Sequence, residues 1–145
     1  MNKIHIIVDA NPMISALLGG QARTVFHAQG FNFFTTERKI WEVKRYVPMI
    51  AMKSRRTESE IFEAIRLLPL TSYQDAFFET HHARAVELIG ARDPTDVDLL
   101  ALALKLGHPI WSHDHDFEQI AEIVVLSTEA LLAEITRRDS LPDMV

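Results

Sequence analysis

The sequence contains no cysteine, which excludes disulfides and thiolate metal sites and leaves oxygen and imidazole as the side-chain ligands. It has no stretch near the roughly 18 consecutive apolar residues of a membrane span. Lys3 is followed by only a short apolar run that ends at Asp9, so no signal peptide is expected. Glycine is scarce, with 5 residues, and none of them builds a phosphate loop or dinucleotide fingerprint. Internal repeats, low-complexity tracts and linkers are also missing. These absences point to one domain in the cytoplasm, away from membranes, and 145 residues suffice for a substantial core.

What is present is ordinary in amount and uneven in place. Hydrophobic residues make up 48% and charged residues 24%, the balance of a soluble globular chain. The net charge of −5 argues against a surface that coats nucleic acid broadly. Yet seven basic residues (Arg38, Lys39, Lys44, Arg45, Lys53, Arg55, Arg56) fall between positions 38 and 56 with one acid, Glu42. The remainder of the chain is strongly acidic.

Taken in order, Ile4-His5-Ile6-Ile7-Val8 is a β-branched run without alternation, as in a parallel strand covered on both faces. A helix follows from Asn11-Pro12 to Gly19-Gly20, then a shorter one from Ala22 to Ala28. Phe31 to Phe34 is the second strand. Helical spacing of Ile40, Val43, Val47 and Ile50 extends from Thr36 to about Met52, with Pro48 expected to divide it. Thr57-Glu58-Ser59-Glu60 is a capping-box start for a helix to Leu68. Pro69 to Ser72 gives a third strand. Asp75 to Ile89 reads as one helix, with Phe78, His82, Ala85 and Ile89 near one face. Strands at Pro109–Ser112 and Ile123–Leu126 and a helix from Glu129 to Arg138, capped by Ser127-Thr128, complete the chain. Alternating strands and helices predict an α/β class, a three-layer α/β/α sandwich with a mainly parallel sheet.

The stretch from Asp93 to Phe117 organises the rest. It begins in acids, runs through the Leu/Ala core of a helix, stops at Gly107, and returns through a strand to His113-Asp114-His115-Asp116. Asp9 ends the first strand, Asp114 follows the fourth and Asp96 starts the helix between. Parallel strands bring such ends to one sheet edge. Single aspartates at helix starts are most often caps. With Glu42 inside the helix after the second strand, four carboxylates from four elements would repel one another if they met, and a hard divalent cation such as Mg²⁺ or Mn²⁺ is the natural remedy. Ser112 is positioned to orient a water or ligand, and Asn11 to hold Asp9.

Other chemistries fit less well. A Ser-His-Asp set drawn from Ser15 or Ser112 lacks a nucleophile-elbow motif. His81, His82, His113 and His115 lack a zinc-ligand spacing. Asp9-Ala10-Asn11 is not the Asp-x-Asp of a dehalogenase-like phosphohydrolase, and the acidic pair of a receiver domain is missing.

Four blocks in order resemble the PIN-domain family, most closely the VapC-type toxins of toxin–antitoxin pairs. They are Ile-Ile-Val-Asp9-Ala-Asn-Pro-Met-Ile-Ser15-Ala-Leu-Leu, Trp-Glu42-Val, Asp93-Pro-Thr-Asp96-Val-Asp-Leu-Leu-Ala-Leu-Ala, and Ile-Trp-Ser112-His-Asp114-His-Asp116-Phe. The resemblance implies one PIN-like domain over residues 1–139, with 140–145 a frayed tail. It implies an acidic tetrad of Asp9, Glu42, Asp96 and Asp114, with Ser112 beside it and Asn11 and Asp116 as accessories. Asp93 and Asp98 are read as helix-start residues. The expected activity is an Mg²⁺- or Mn²⁺-dependent endoribonuclease, with metal on Asp9, Asp96 and Asp114, one ion or two. The implied partners are an RNA substrate, a cognate antitoxin and a second copy in a homodimer. Lys44, Arg45, Arg55 and Arg56 are the candidates for holding RNA. The alternative is a PIN domain that binds RNA or protein without turnover.

Overall fold

A computed structural model describes residues 2–141. Five strands, β1 (Ile4–Val8), β2 (Phe31–Thr36), β3 (Leu70–Tyr73), β4 (Ile110–Trp111) and β5 (Val125–Leu126), form one sheet in the order β3-β2-β1-β4-β5. Every pairing is parallel. β1 lies at the centre because its residues can be buried on either face: Ile6, Ile7 and Val8 are all fully buried. Ile6 and Val8 join Phe31, Phe33 and Trp111 in one core, while Ile7 and Ile110 join the other.

The first core is covered by α1 (Ala10–Leu17), α2 (Ala22–His27), α3 (Glu37–Arg45), α4 (Val47–Ser54), α5 (Glu58–Leu67) and α9 (Thr128–Asp139). The second is covered by α6 (Asp75–Phe78), α7 (His82–Ala85) and α8 (Val97–Leu106). Helices on both faces of a parallel sheet make the expected α/β/α sandwich. In α8 the run Leu99 to Ala103 is completely buried, and Gly107 ends the helix with φ 71°, a left-handed turn that costs glycine little.

Pro48 does divide its element: α3 closes at Tyr46, and α4 takes Pro48 near its start, where the missing N–H is harmless. The capping box at Thr57 and Glu60 forms in both directions. The helix expected over Asp75–Ile89 is instead broken. α6 passes through a 3₁₀ turn (Glu79–His81) into α7, which widens to a π-helical turn over Val86–Gly90. Phe78, Ala85 and Ile89 are buried as expected, but His82 is half-exposed, its side chain turned towards solvent. The break lets one apolar face follow α8 without a continuous helical phase, and it delivers the loop that carries Asp93. β2 is longer than its aromatic core, because Thr35 donates to the Val8 carbonyl at 2.8 Å and Thr36 caps α3. Ser140 still closes the last turn of α9 through its N–H, and residues 142–145 of the expected frayed tail lie outside the described residues.

Candidate metal and active site

Strand order reverses beside β1, with β2 on one side and β4 on the other, and the crevice at the carboxyl ends there is where open α/β sheets bind ligands. Four element starts meet at it. Asp9 leaves β1 and caps α1, its Oδ1 accepting from Ala10 N at 2.7 Å. Asp96 stands at the start of α8 and Asp114 caps the 3₁₀ turn after β4. Thr36 caps α3 by accepting from Lys39 N. Partial positive charge at these helix starts favours carboxylates there.

Ser112 ties two of the acids together. Its Oγ donates to Asp9 Oδ2 at 2.7 Å and accepts from the Asp114 N–H at 2.9 Å. Asn11 does not hold Asp9 as expected: its Oδ1 accepts from His113 N, so it anchors the loop after β4. Asp116 donates its backbone N–H to Asp114 Oδ1 at 2.9 Å.

Lys39 belongs by sequence to the basic run from Arg38 to Arg56, and the structure sets it apart from most of that run. It is 2% exposed, and its Nζ lies 2.6 Å from Asp96 Oδ1, 3.2 Å from Asp9 Oδ1 and 3.3 Å from Glu42 Oε2. The sequence held the signal: Lys39 precedes Glu42 by three and Val43 by four, which puts the three on one helical face. Arg38 is engaged as well, pairing with the buried Asp98 at 2.6 Å. Lys44, Arg45, Arg55 and Arg56 remain exposed. Arg45 lies over the exposed Trp41 ring at 5.1 Å, and Arg56 reaches the Leu17 carbonyl. A groove lined by Arg38, Trp41, Lys44, Ser72 and Gln74 opens on the same side.

Asp93 is the second residue whose role exceeds its sequence pattern. It caps its turn by accepting from Thr95 N and Oγ1, yet its carboxylate also joins those of Asp96 and Asp114, with oxygens all within 4.8 Å of one another. Asp96 Oδ2 is buried and has no hydrogen-bond partner among the described residues. A buried carboxylate oxygen without a donor, on a residue whose carboxylate gathers with those of Asp93 and Asp114, fits a divalent cation. Burial pushes the Asp96 carboxyl up to about 8, Asp9 and Asp93 add to the push, and Lys39 opposes it. Asp93 is lifted by burial but held below the ordinary range overall by its hydrogen bonds to Thr95 and Asp96 and by the charge of Lys39. Lys39 is depressed by burial, but Asp9, Asp96 and Glu42 outweigh that and keep it charged beyond its ordinary range.

The PIN domain family model matches residues 7–136. The chain belongs to the PIN domain family. Solved structures agree on the fold of this PIN domain. VapBC2 from Rickettsia felis, solved with a DNA fragment from its promoter, has TM-score 0.63 at 12% identity over 86% of this chain and 98% of that one. VapBC-1 from nontypeable Haemophilus influenzae has TM-score 0.62 at 13% identity over 87% and 99%. PAE2754 from Pyrobaculum aerophilum has TM-score 0.63 at 16% identity over 92% and 90%. No curated protein sequence matches. Among the described residues no helix is long and apolar enough to cross a membrane.

Proposed function

We propose that this PIN domain is a divalent-metal-dependent endoribonuclease, the toxin of a type II toxin–antitoxin pair acting in the cytoplasm. The observation that carries the reading is the convergence of Asp9, Glu42, Asp96 and Asp114 on one crevice, with Asp96 Oδ2 buried and unpartnered among the described residues. Mg²⁺ or Mn²⁺ held in this crevice would supply Lewis-acid chemistry, offsetting charge on phosphate oxygens and making water more acidic. The protein's own groups do the rest. Ser112 fixes Asp9 and Asp114 relative to each other, and Glu42 closes the side next to α3. Lys44, Arg45, Arg55 and Arg56 hold the RNA backbone without reading bases. The exposed apolar residues Trp41, Tyr46, Met52 and Phe62 on α3–α5 suit an antitoxin segment, and a homodimer is the working assembly.

The test is direct. Purified protein incubated with end-labelled RNA should cut it in Mn²⁺ or Mg²⁺ and stop on addition of EDTA. A second reading, a PIN domain that binds RNA or protein without turnover, draws on Lys39, which already neutralises part of the cluster. RNA bound but never cut, with or without metal, would decide for that second reading.

A further inference from the structure

We propose that Lys39 Nζ permanently fills one cation position of the acidic cluster, so that a single divalent ion binds on the opposite side, between Asp93, Asp96 and Asp114. This deepens the metal-dependent reading and rests on it. The hydrogen-bond partners divide the cluster in two. On the α3 side, an ammonium with three protons faces three carboxylates, Asp9 at 3.2 Å, Glu42 at 3.3 Å and Asp96 at 2.6 Å. Asp9 is further engaged by Ala10 N on Oδ1 and by Ser112 Oγ on Oδ2. A divalent ion entering here would have to expel a buried ammonium from hydrogen-bond distance of its acids.

The other side is different. The second oxygen of Asp96, Oδ2, finds no donor among the described residues, the residue as a whole is only 3% exposed, and the Asp93 carboxyl lies in hydrogen-bond range of the Asp96 carboxyl. Asp93 and Asp114, both half-buried, bring carboxylate oxygens to Asp96, all within 4.8 Å of one another. A buried carboxylate oxygen without a donor is costly when ionised, and an ion there removes the cost. Half-buried ligands leave room for the waters that Mg²⁺ retains, and for a phosphate. Asp93 thereby becomes a metal ligand in addition to capping its turn, and Asp9 becomes a positioning residue held by Lys39 and Ser112.

The experiment is a Mn²⁺ titration of the whole purified chain, followed by calorimetry for stoichiometry and affinity. Wild type should take one Mn²⁺ per chain. Asp93→Asn should bind it about tenfold or more weakly, a loss typical even of groups that only support a ligand. Lys39→Met should gain a second Mn²⁺ on the vacated α3 side. Two ions in wild type, or unchanged affinity in Asp93→Asn, overturns the proposal, as does a Lys39→Met protein that folds yet still takes one. Asp93 is on an accessible loop, so its variant carries the test alone if Lys39→Met does not fold. One bound ion weakened by Asp93→Asn, without RNA cleavage, refutes the nuclease reading and leaves this site standing. EDTA-sensitive cleavage with binding indifferent to Asp93 does the reverse.

Discussion

Lys39 Nζ and Asp96 Oδ1 lie 2.6 Å apart, both buried, across 57 positions of sequence. Removing Lys39 takes the ammonium away from Asp9 and Glu42 as well as from Asp96, and leaving carboxylate charge without its cation in a buried site is expensive. Lys39→Met should therefore destabilise the metal-free protein by about 3–5 kcal/mol in urea unfolding. Adding Asp96→Asn should recover part of that loss. A single variant within about 0.5 kcal/mol of wild type would mean that Lys39 is no more than a surface group.

Asp114→Asn tests the acid least tied to Lys39. The amide oxygen of Asn can still accept from the Asp116 N–H, so the turn after β4 should survive. Removing one charge from a crowded cluster should leave the metal-free melting temperature equal or higher. RNA cleavage should fall by about a hundredfold or more, because charge stabilisation by metal is worth several kcal/mol. Cleavage within a few-fold of wild type would remove Asp114 from the site.

Asp96 gives the metal-free protein a distinctive pH dependence. Its folded carboxyl is raised to about 8 chiefly by burial, so the folded state keeps a proton that the unfolded chain releases near pH 4. Its contribution to stability is complete below that pH and is lost as pH rises through 8. Lys39 is shifted upward and stays charged throughout, so it adds no slope in this interval. The melting temperature in EDTA should decline from about pH 5 to about pH 8, and Asp96→Asn should flatten that decline. A melting temperature that climbs over the interval contradicts the assignment.

Reversing Lys44, Arg45, Arg55 and Arg56 to Glu should weaken RNA binding for every sequence. The salt dependence should become shallower by roughly 0.7 for each phosphate that the protein no longer neutralises. Mn²⁺ binding should persist, because none of these side chains pairs with the acids of the cluster among the described residues. Unchanged affinity and salt slope would mean that the substrate approaches from another direction.

The layers and the acids were legible in the chain alone. Unalternating apolar runs such as Ile4–Val8 can only be buried on both faces, and strands ending in Asp9 and Ser112-His113-Asp114 bring carboxylates to one edge whenever the sheet is parallel. Caps and stops were equally local: Thr57, Gly107 and Ser127 act within a turn of where they stand. Which cation lives in the cluster was settled by packing. Lys39 is one of seven neighbouring basic residues; its spacing of three from Glu42 and four from Val43 puts it on their helical face, but the run does not say which face of α3 turns inward. Its fate depends on the rotation of α3 against β1 and α8, which bring Asp9 and Asp96 to its ammonium from 30 and 57 positions away. Asp93 was legible as a cap and not as a ligand for the same reason. A cap is satisfied by neighbours two residues on, whereas a shared ion requires Asp114 to arrive from the far end of β4.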